Sequence, residues 1–257
     1  MAAGRAAELG AKVLLLEKNA SLGKKLLITG GGRCNVTNGE LDTRKLLARF
    51  KDSGKFLFSP FSEWSVQQTL DFFHARNMPT KEEAEQRVFP LSNTAQSVWD
   101  TLVTYMKEQG VVVMKNALVK KIHGTSGSVS AVELRDGRMI QARSFILATG
   151  GISHPETGST GDGYLWLRSL GHKVDEASAA LVPVALKDVR VKRAAGATLS
   201  DAKITIFQNN VKQSQGRGKV LFTHVGLSGP GILNMSREIG ELMKYGAVEN
   251  EIDTVPN

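Results

Sequence analysis

The 257-residue chain is poor in cysteine. Cys34 stands alone, which excludes an intrachain disulfide and suits a reducing compartment or indifference to redox. No apolar run reaches the roughly 18 residues of a membrane span. The opening MAAGRAAELG lacks the basic stretch and apolar core of a secretory signal. The cytoplasm is therefore the expected location, with no membrane partner. Aromatics make up only 6% of the chain and no RNA-binding motif is present, which argues against a specific nucleic-acid partner. There is no internal repeat, and no metal site is expected.

What is present is an ordinary soluble composition, 41% hydrophobic and 23% charged, in a chain long enough for one sizeable core and a second unit. The formal net charge is +8. That balance favours anionic partners such as phosphate-bearing cofactors or nucleic acid, or reflects a solvated basic surface. Most positives are scattered; Lys24-Lys25, Lys120-Lys121 and Arg190-Val191-Lys192-Arg193 cluster.

One stretch stands out: KKLLITGGGRCNVTN, residues 24–38. Three consecutive glycines cost order, because glycine loses the most freedom on folding. Flexible linkers are polar and Gly/Ser-rich, whereas this run follows Leu26-Leu27-Ile28. It reads as a loop that lets a ligand approach the backbone closely.

Before it, Ala2 to Leu9 favours a helix, Gly10 can close it, and Val13 to Leu16 reads as a buried parallel strand ending at Glu17. Helix, turn, buried strand and acid form the second half of a nucleotide-binding βαβ unit, in which the acid holds the ribose hydroxyls. Helical periodicity follows around Trp64, Val66, Leu70 and Phe73, and again through Val98, Leu102, Tyr105 and Met106, with Asn93 and Gln96 spaced as a capping box. Trp99 and His74 read as packing or surface residues. Strands are expected at Val111 to Met114 and Ala117 to Ile122, then a hairpin over 128–142 turning at Asp136-Gly137. Phe145 to Ala148 reads as a second buried strand running into Thr149-Gly150-Gly151, a place where open α/β sheets bind ligands. A helix should begin near Tyr164, with Asp162 either its cap or a ligand contact. A β-rich unit should begin at residue 183, with strands at 184–186, 203–208 and 219–223, a tight turn at 227–231 before a helix, and a frayed polar tail from Glu249.

Glu17-Lys18-Asn19, the 23–35 run, Ala148-Thr149-Gly150-Gly151 and Gly158-Ser159-Thr160-Gly161-Asp162-Gly163, taken in order, closely resemble the BaiN/RdsA-type flavoproteins, an aminoacetone-oxidase-like group of NAD(P)/FAD-dependent oxidoreductases. Phe222-Thr223-His224 with Gly226 to Pro230 resembles that family's inserted β-domain signature. The resemblance implies an α/β architecture: a Rossmann-like, two-dinucleotide-binding FAD domain over residues 1–182, and the start of an inserted β-rich domain over 183–257. It implies FAD as cofactor, NAD(P)H as a candidate electron donor and a small-molecule substrate. Glu17 would hold the adenosine ribose. Lys18 and Gly23-Lys24-Lys25 would lie near the adenosine and diphosphate. Thr29, Gly30, Gly31, Gly32, Arg33, Cys34 and Asn35 would run along the flavin side. Val119 would meet the adenine edge through its strand backbone. Thr149 and Gly150 would approach the cofactor, and Gly161, Asp162 and Gly163 its flavin end.

Family members begin with a Gly-rich strand–turn that this sequence lacks, and continue past the inserted domain to complete the FAD domain. The expectation is a chain truncated at both ends that binds FAD poorly or not at all. Hydride transfer between flavin and NAD(P)H or a small molecule is the leading reading; action on RNA and a non-catalytic fragment stand as alternatives. No protein acid or base is evident. Cys34 beside Arg33 is either an activated thiol or, more in keeping with an unpaired cysteine, a packed one.

Overall fold

A computed structural model of the chain describes residues 1–50, 53–125, 127–175, 177–188, 191 and 193–253. Arg190 and Lys192 of the basic cluster lie outside the described residues. The chain divides into two compact units, Met1–Val174 and Asp175–Asn257. Among the described residues no helix is long and apolar enough to cross a membrane, and no cluster of acids, histidines and cysteine is placed to hold a metal.

In the first unit, α1 (Ala2–Glu8) ends where Gly10, at φ +91°, returns its N–H to the Ala7 carbonyl. β1 (Leu14–Leu16) pairs in parallel with β5 (Val112–Met114), Leu15 opposite Val113. The helix before β5 is α6 (Ala95–Glu108), and its two faces explain the core. Val103 and Met106 pack toward Val13, Leu15 and Val113 of the parallel pair. Val98 and Tyr105 pack with Cys34, Phe72, Phe73 and Met78. That second cluster is supplied by α5 (Val66–His74), whose Ser65 and Gln68 form a reciprocal capping box that satisfies two otherwise unpaired N–H groups. Gly4 of α1 sits so close to Tyr105 that a Cβ would fall 2.4 Å from the ring.

Short elements fill the rest of this unit. They are α2 (Lys24–Ile28), β2 (Thr37–Asn38), α3 (Thr43–Ala48), α4 (Gly54–Glu63), β3 (Thr80–Glu83) and β4 (Arg87–Pro90), with β2, β4 and β3 forming one antiparallel sheet. A second antiparallel sheet joins β6 (Val119–Thr125), β7 (Ser128–Leu134) and β8 (Met139–Gln141). Its Asp136-Gly137 turn falls as the sequence indicates, with Gly137 at φ +88° and the Asp136 carboxylate accepting from the Arg138 backbone and guanidinium. The unit closes with α7 (Asp162–Ser169).

Three expectations are corrected in these regions. Phe145 to Ala148 is not a strand: it pairs with nothing among the described residues, and Ile146 is 66% exposed. An apolar run becomes a buried parallel strand only where flanking ladders take its N–H and C=O groups, and among the described residues β1 is paired with β5 alone. The cap of α6 is Thr94, whose hydroxyl accepts the Gln96 N–H, while Asn93 adopts φ +58°. The tail is a strand over Glu249–Asp253, and residues 254–257 lie outside the described residues.

In the second unit that strand, β13 (Glu249–Asp253), is the edge of a five-stranded sheet of order β13-β10-β11-β12-β9. The others are β9 (Val184–Ala185), β10 (Thr198–Gln208), β11 (Val211–Phe222) and β12 (Gly226–Ser228). Ile252 opposite Ile204 and Asn250 opposite Ile206 show why the tail pairs: its alternate residues fall on the covered face. The helix α8 (Pro230–Met243) covers that face. Ala202, Ile204, Ile206, Val220, Leu227, Ile232 and Ile239 form a core with almost no exposure. Gly231 lets the helix sit down, since a Cβ there would lie 2.8 Å from the Ile204 methyl.

Candidate functional site

Glu17 follows directly on β1. Its N–H donates to the Met114 carbonyl at 2.9 Å and its carbonyl accepts from Ala117 at 2.9 Å, so the backbone is held in the parallel pair. Its carboxylate is held on one side only. Oε1 accepts from the Asn19 N–H at 2.7 Å and from Asn19 Nδ2 at 2.9 Å; Oε2 has no partner among the described residues. Asn19 Nδ2 also donates to the Thr157 carbonyl at 3.0 Å. Gly158 beside it must be glycine: φ is +107°, and a Cβ would stand 2.7 Å from Asn19 Nδ2.

Lys18 points the same way. Its Nζ donates to Thr160 Oγ1 at 2.6 Å and to Asp162 Oδ2 at 2.8 Å, and Thr160 Oγ1 donates to the same carboxylate oxygen at 2.8 Å. The hydrogen bond from Lys18 holds the Asp162 carboxyl below the usual range, with Thr160 adding to it against partial burial. Asp162 is the first residue of α7 but does not cap it; Gly161, at φ +78°, takes the cap position. The carboxylate still benefits from the positive end of the helix dipole. The neighbouring glycines answer to protein packing: a Cβ on Gly163 would meet Thr149 Oγ1 at 2.4 Å, one on Gly161 the Ile152 methyl at 2.8 Å, and one on Gly150 Ser159 Oγ at 3.1 Å.

The glycine-rich stretch begins as helix α2 rather than as open loop. Gly23, at φ +76°, packs on Trp99, whose Nε1 donates to the Leu22 carbonyl. Lys25 reaches across to the same loop as Lys18, its Nζ 2.5 Å from the Ser153 carbonyl. Lys24 is exposed, with no ion pair among the described residues. Thr29 turns its hydroxyl back to the Leu26 carbonyl. Gly30, Gly31 and Gly32 all take positive φ, at +56°, +66° and +82°. Gly30 is enclosed by the Asn35 backbone and Phe89, but nothing lies within 4 Å of a Cβ on Gly31. At Gly31 the backbone faces open space among the described residues.

Beyond the turn Arg33 and Cys34 are held by the protein. Arg33 donates to both carboxylate oxygens of Glu83, at 2.9 and 3.1 Å, and lies 4.0 Å over the Phe89 ring. Cys34 is buried among Phe72, Phe73 and Val98, and Asn35 is exposed. Val119 pairs with Leu134 in the β6–β7 hairpin and packs on the cluster shared with Leu16 and Met114. The fold therefore brings Glu17, Lys18, Lys25, Thr149, Gly150, Gly161, Asp162 and Gly163 into one neighbourhood at the end of β1. Cys34 is anchored in the helical core instead, and Arg33 is held by Glu83 of β3 and Phe89 of β4. Asn19 and Thr160, which help clasp that neighbourhood, lie inside the sequence motifs without an assigned role, and Ser153 lies outside them; polar side chains that lock a loop leave no periodic signal.

The HI0933-like protein Rossmann domain model matches residues 1–244. The chain belongs to this family. It is the BaiN/RdsA-type group of flavin-dependent oxidoreductases, as the motifs indicate. Among curated relatives, the 3-dehydro-bile acid delta(4,6)-reductase of Clostridium scindens is 29% identical over 247 residues, 96% of this chain and 59% of the reductase. The ribosomal RNA dihydrouridine synthase of Escherichia coli is 26% identical over 238 residues, 90% of this chain and 56% of the synthase. The HI0933-like chain thus spans under two thirds of the length of these relatives. An open-conformation flavocytochrome c3 fumarate reductase shares the fold, with a TM-score of 0.51 at 21% identity over 77% of this chain and 44% of that one.

The HI0933-like chain also has a cavity of about 590 Å³ away from the β1 end. Arg5, Glu8, Trp64, Asp71, Arg76 and Tyr105 line it. Its charges are largely matched internally: Glu8 accepts from Arg5 and Tyr105, and Arg76 stacks on Phe72 and Tyr105. None of the motif residues reaches it.

Proposed function

We propose that this chain holds FAD and serves a flavin-dependent oxidoreductase in which hydride passes from NAD(P)H to the flavin and from the reduced flavin to a small molecule. The observation that carries the reading is Glu17: a carboxylate at the end of a parallel strand, one oxygen fixed by Asn19 and the other left to accept. That donor and acceptor set fits a ribose diol, which presents two hydroxyl donors to one acid. The open backbone at Gly31 fits the close approach of a flat or phosphorylated group.

On this reading Glu17 binds the adenosine ribose, and the exposed ammonium of Lys24 lies available to the diphosphate. Lys18 acts indirectly, because its ammonium is committed to Asp162 and Thr160. When bound, FAD supplies the redox chemistry. The chain's own residues bind and orient. Cys34, packed among aromatic rings, fills space and is not placed to attack a substrate. The names of the bile-acid reductase and the ribosomal RNA synthase support reductive chemistry without selecting a substrate. A single packed thiol suits the cytoplasm.

The test is FAD titration followed by tryptophan or flavin fluorescence, comparing the wild-type chain with Glu17→Ala. Loss of charge-assisted hydrogen bonds worth roughly 1.5–3 kcal/mol should weaken binding at least ten-fold. Equal affinity would overturn the assignment of Glu17, and absence of any FAD binding by the wild-type chain would overturn the reading for this chain.

A further inference from the structure

Four of the five residues from Gly30 to Cys34 take left-handed backbone angles; Arg33, at φ −101°, is the exception. The three glycines adopt such angles freely. Cys34, at φ +59°, has a side chain and is sterically disfavoured there. A conformation of that kind persists only where the surroundings hold it. Cys34 is held by the aromatic cluster and by its N–H, which donates to the Thr29 carbonyl at 3.0 Å. Arg33 is held from another side. Its guanidinium lies 4.0 Å over the Phe89 ring and donates to both oxygens of Glu83. Phe89 in turn lies against Gly30, where a Cβ would stand 3.1 Å from the ring. Ring, guanidinium and carboxylate thus form one stack from the glycines to β3 and β4. Glu83 is its far end. The hydrogen bond from Arg33 holds the Glu83 carboxyl below the usual range, so it is ionised at neutral pH, and Lys81 Nζ lies 3.2 Å from the same carboxylate.

We propose that Glu83 is a positioning residue for the flavin cofactor: by fixing Arg33 it keeps the glycine turn in the shape that leaves Gly31 open. The inference rests on the reading that FAD runs along this turn. Glu83 has two opposing effects on such a ligand. Its negative charge repels a diphosphate. Its grip on Arg33 preorganises the backbone that receives the cofactor. The repulsion is weak, because the Arg33 and Glu83 side chains are 35% and 27% exposed and solvent screens them. Preorganisation acts in full, because a turn that samples other shapes binds only in proportion to its time in the competent one. The grip therefore outweighs the charge, and losing the carboxylate weakens binding although it removes a like charge.

Two measurements on the whole chain test it: hydrogen exchange without flavin, and FAD titration. Both are made on Glu83→Gln, Arg33→Gln and the double variant. Glu83→Gln should quicken exchange of the Cys34 N–H several-fold while exchange in α6 and thermal melting stay as in wild type. It should weaken FAD binding about three- to ten-fold. Because Glu83 acts through Arg33, the double variant should bind FAD no worse than Arg33→Gln alone. Lys81→Gln, which leaves the Arg33–Glu83 pair intact, should bind as wild type does. Tighter FAD binding by Glu83→Gln overturns the proposal, since charge would then govern. Unchanged exchange at Cys34, or losses that simply add in the double variant, overturn it too. A fall in affinity that comes with lost protection throughout the unit assigns Glu83 a merely structural role. Quickened exchange with unchanged affinity also sinks the proposal, and Gly31→Val then tells which part failed. Normal flavin retention by that variant removes the flavin from the turn, whereas lost retention leaves the flavin there and shows that it does not need Glu83. If the wild-type chain binds no FAD, the flavin reading fails and this inference fails with it.

Discussion

Lys18 Nζ and Asp162 Oδ2 meet at 2.8 Å across 144 residues of sequence, tying the end of β1 to the start of α7. Both side chains are about a third exposed, so solvent screens the pair and its contribution to stability is at most about 1 kcal/mol. Asp162 titrates below the usual carboxylate value. Its stabilisation is therefore complete above the unfolded-state value of about 3.9 and disappears as pH falls through the depressed folded value. Asp162→Asn should lower urea stability slightly at neutral pH, less so in high salt, and the difference from wild type should vanish in strong acid.

Asn19 orients Glu17 and also holds the Thr157 carbonyl. Asn19→Ala should cost about 1–3 kcal/mol through the groups left unpaired. It should weaken FAD binding several-fold although Glu17 remains. Hydrogen exchange at Thr157 and Gly158 should quicken in the same variant; FAD affinity equal to wild type would show that Glu17 needs no positioning.

Two glycines of one turn should behave differently. Gly30→Ala forces a Cβ to 2.9 Å from the Asn35 nitrogen at φ +56°, and should destabilise the chain by about 1–3 kcal/mol. Gly31→Ala meets no atom within 4 Å and carries only the left-handed backbone cost of about 1–2 kcal/mol. If the flavin runs along this turn, Gly31→Val yields a soluble chain with reduced flavin retention. Normal retention would place the cofactor elsewhere.

Cys34→Ser puts a hydroxyl among Phe72, Phe73 and Val98. The expected result is a loss of roughly 1–3 kcal/mol in stability with the rate of flavin reduction per folded molecule unchanged. Thiol reagents should label Cys34 slowly in the native chain and quickly in urea.

Elements with a local cause were readable. The α6 stripe of Val98, Leu102 and Tyr105 and the Asp136-Gly137 turn need only their own neighbours. So does Glu17, whose place follows from the strand before it. Elements defined by distant partners were not. Phe145 to Ala148 has the composition of a buried strand without the ladder that makes one. The polar 249–253 tail becomes a strand because β10 presents a free edge to it. Arg33 follows three glycines and suggests a ligand contact, but Glu83 and Phe89, fifty or more residues away, take its guanidinium. The same limit hid Ser153 and Thr160, whose hydrogen bonds to Lys25 and Lys18 cross more than a hundred residues.

Those crossings bear on the order in which the molecule assembles. Lys25 with Ser153, Asn19 with Thr157, and Lys18 with Thr160 and Asp162 are separated by 128 to 144 residues. Loops of that length close late, because their entropy must be overcome before the contacts form. A chain emerging from the ribosome can form α1 and the early helices long before its residue 160 appears. The neighbourhood around Glu17 is then the last part of its unit to be completed, and Glu17 stays without its loop until synthesis has passed α7.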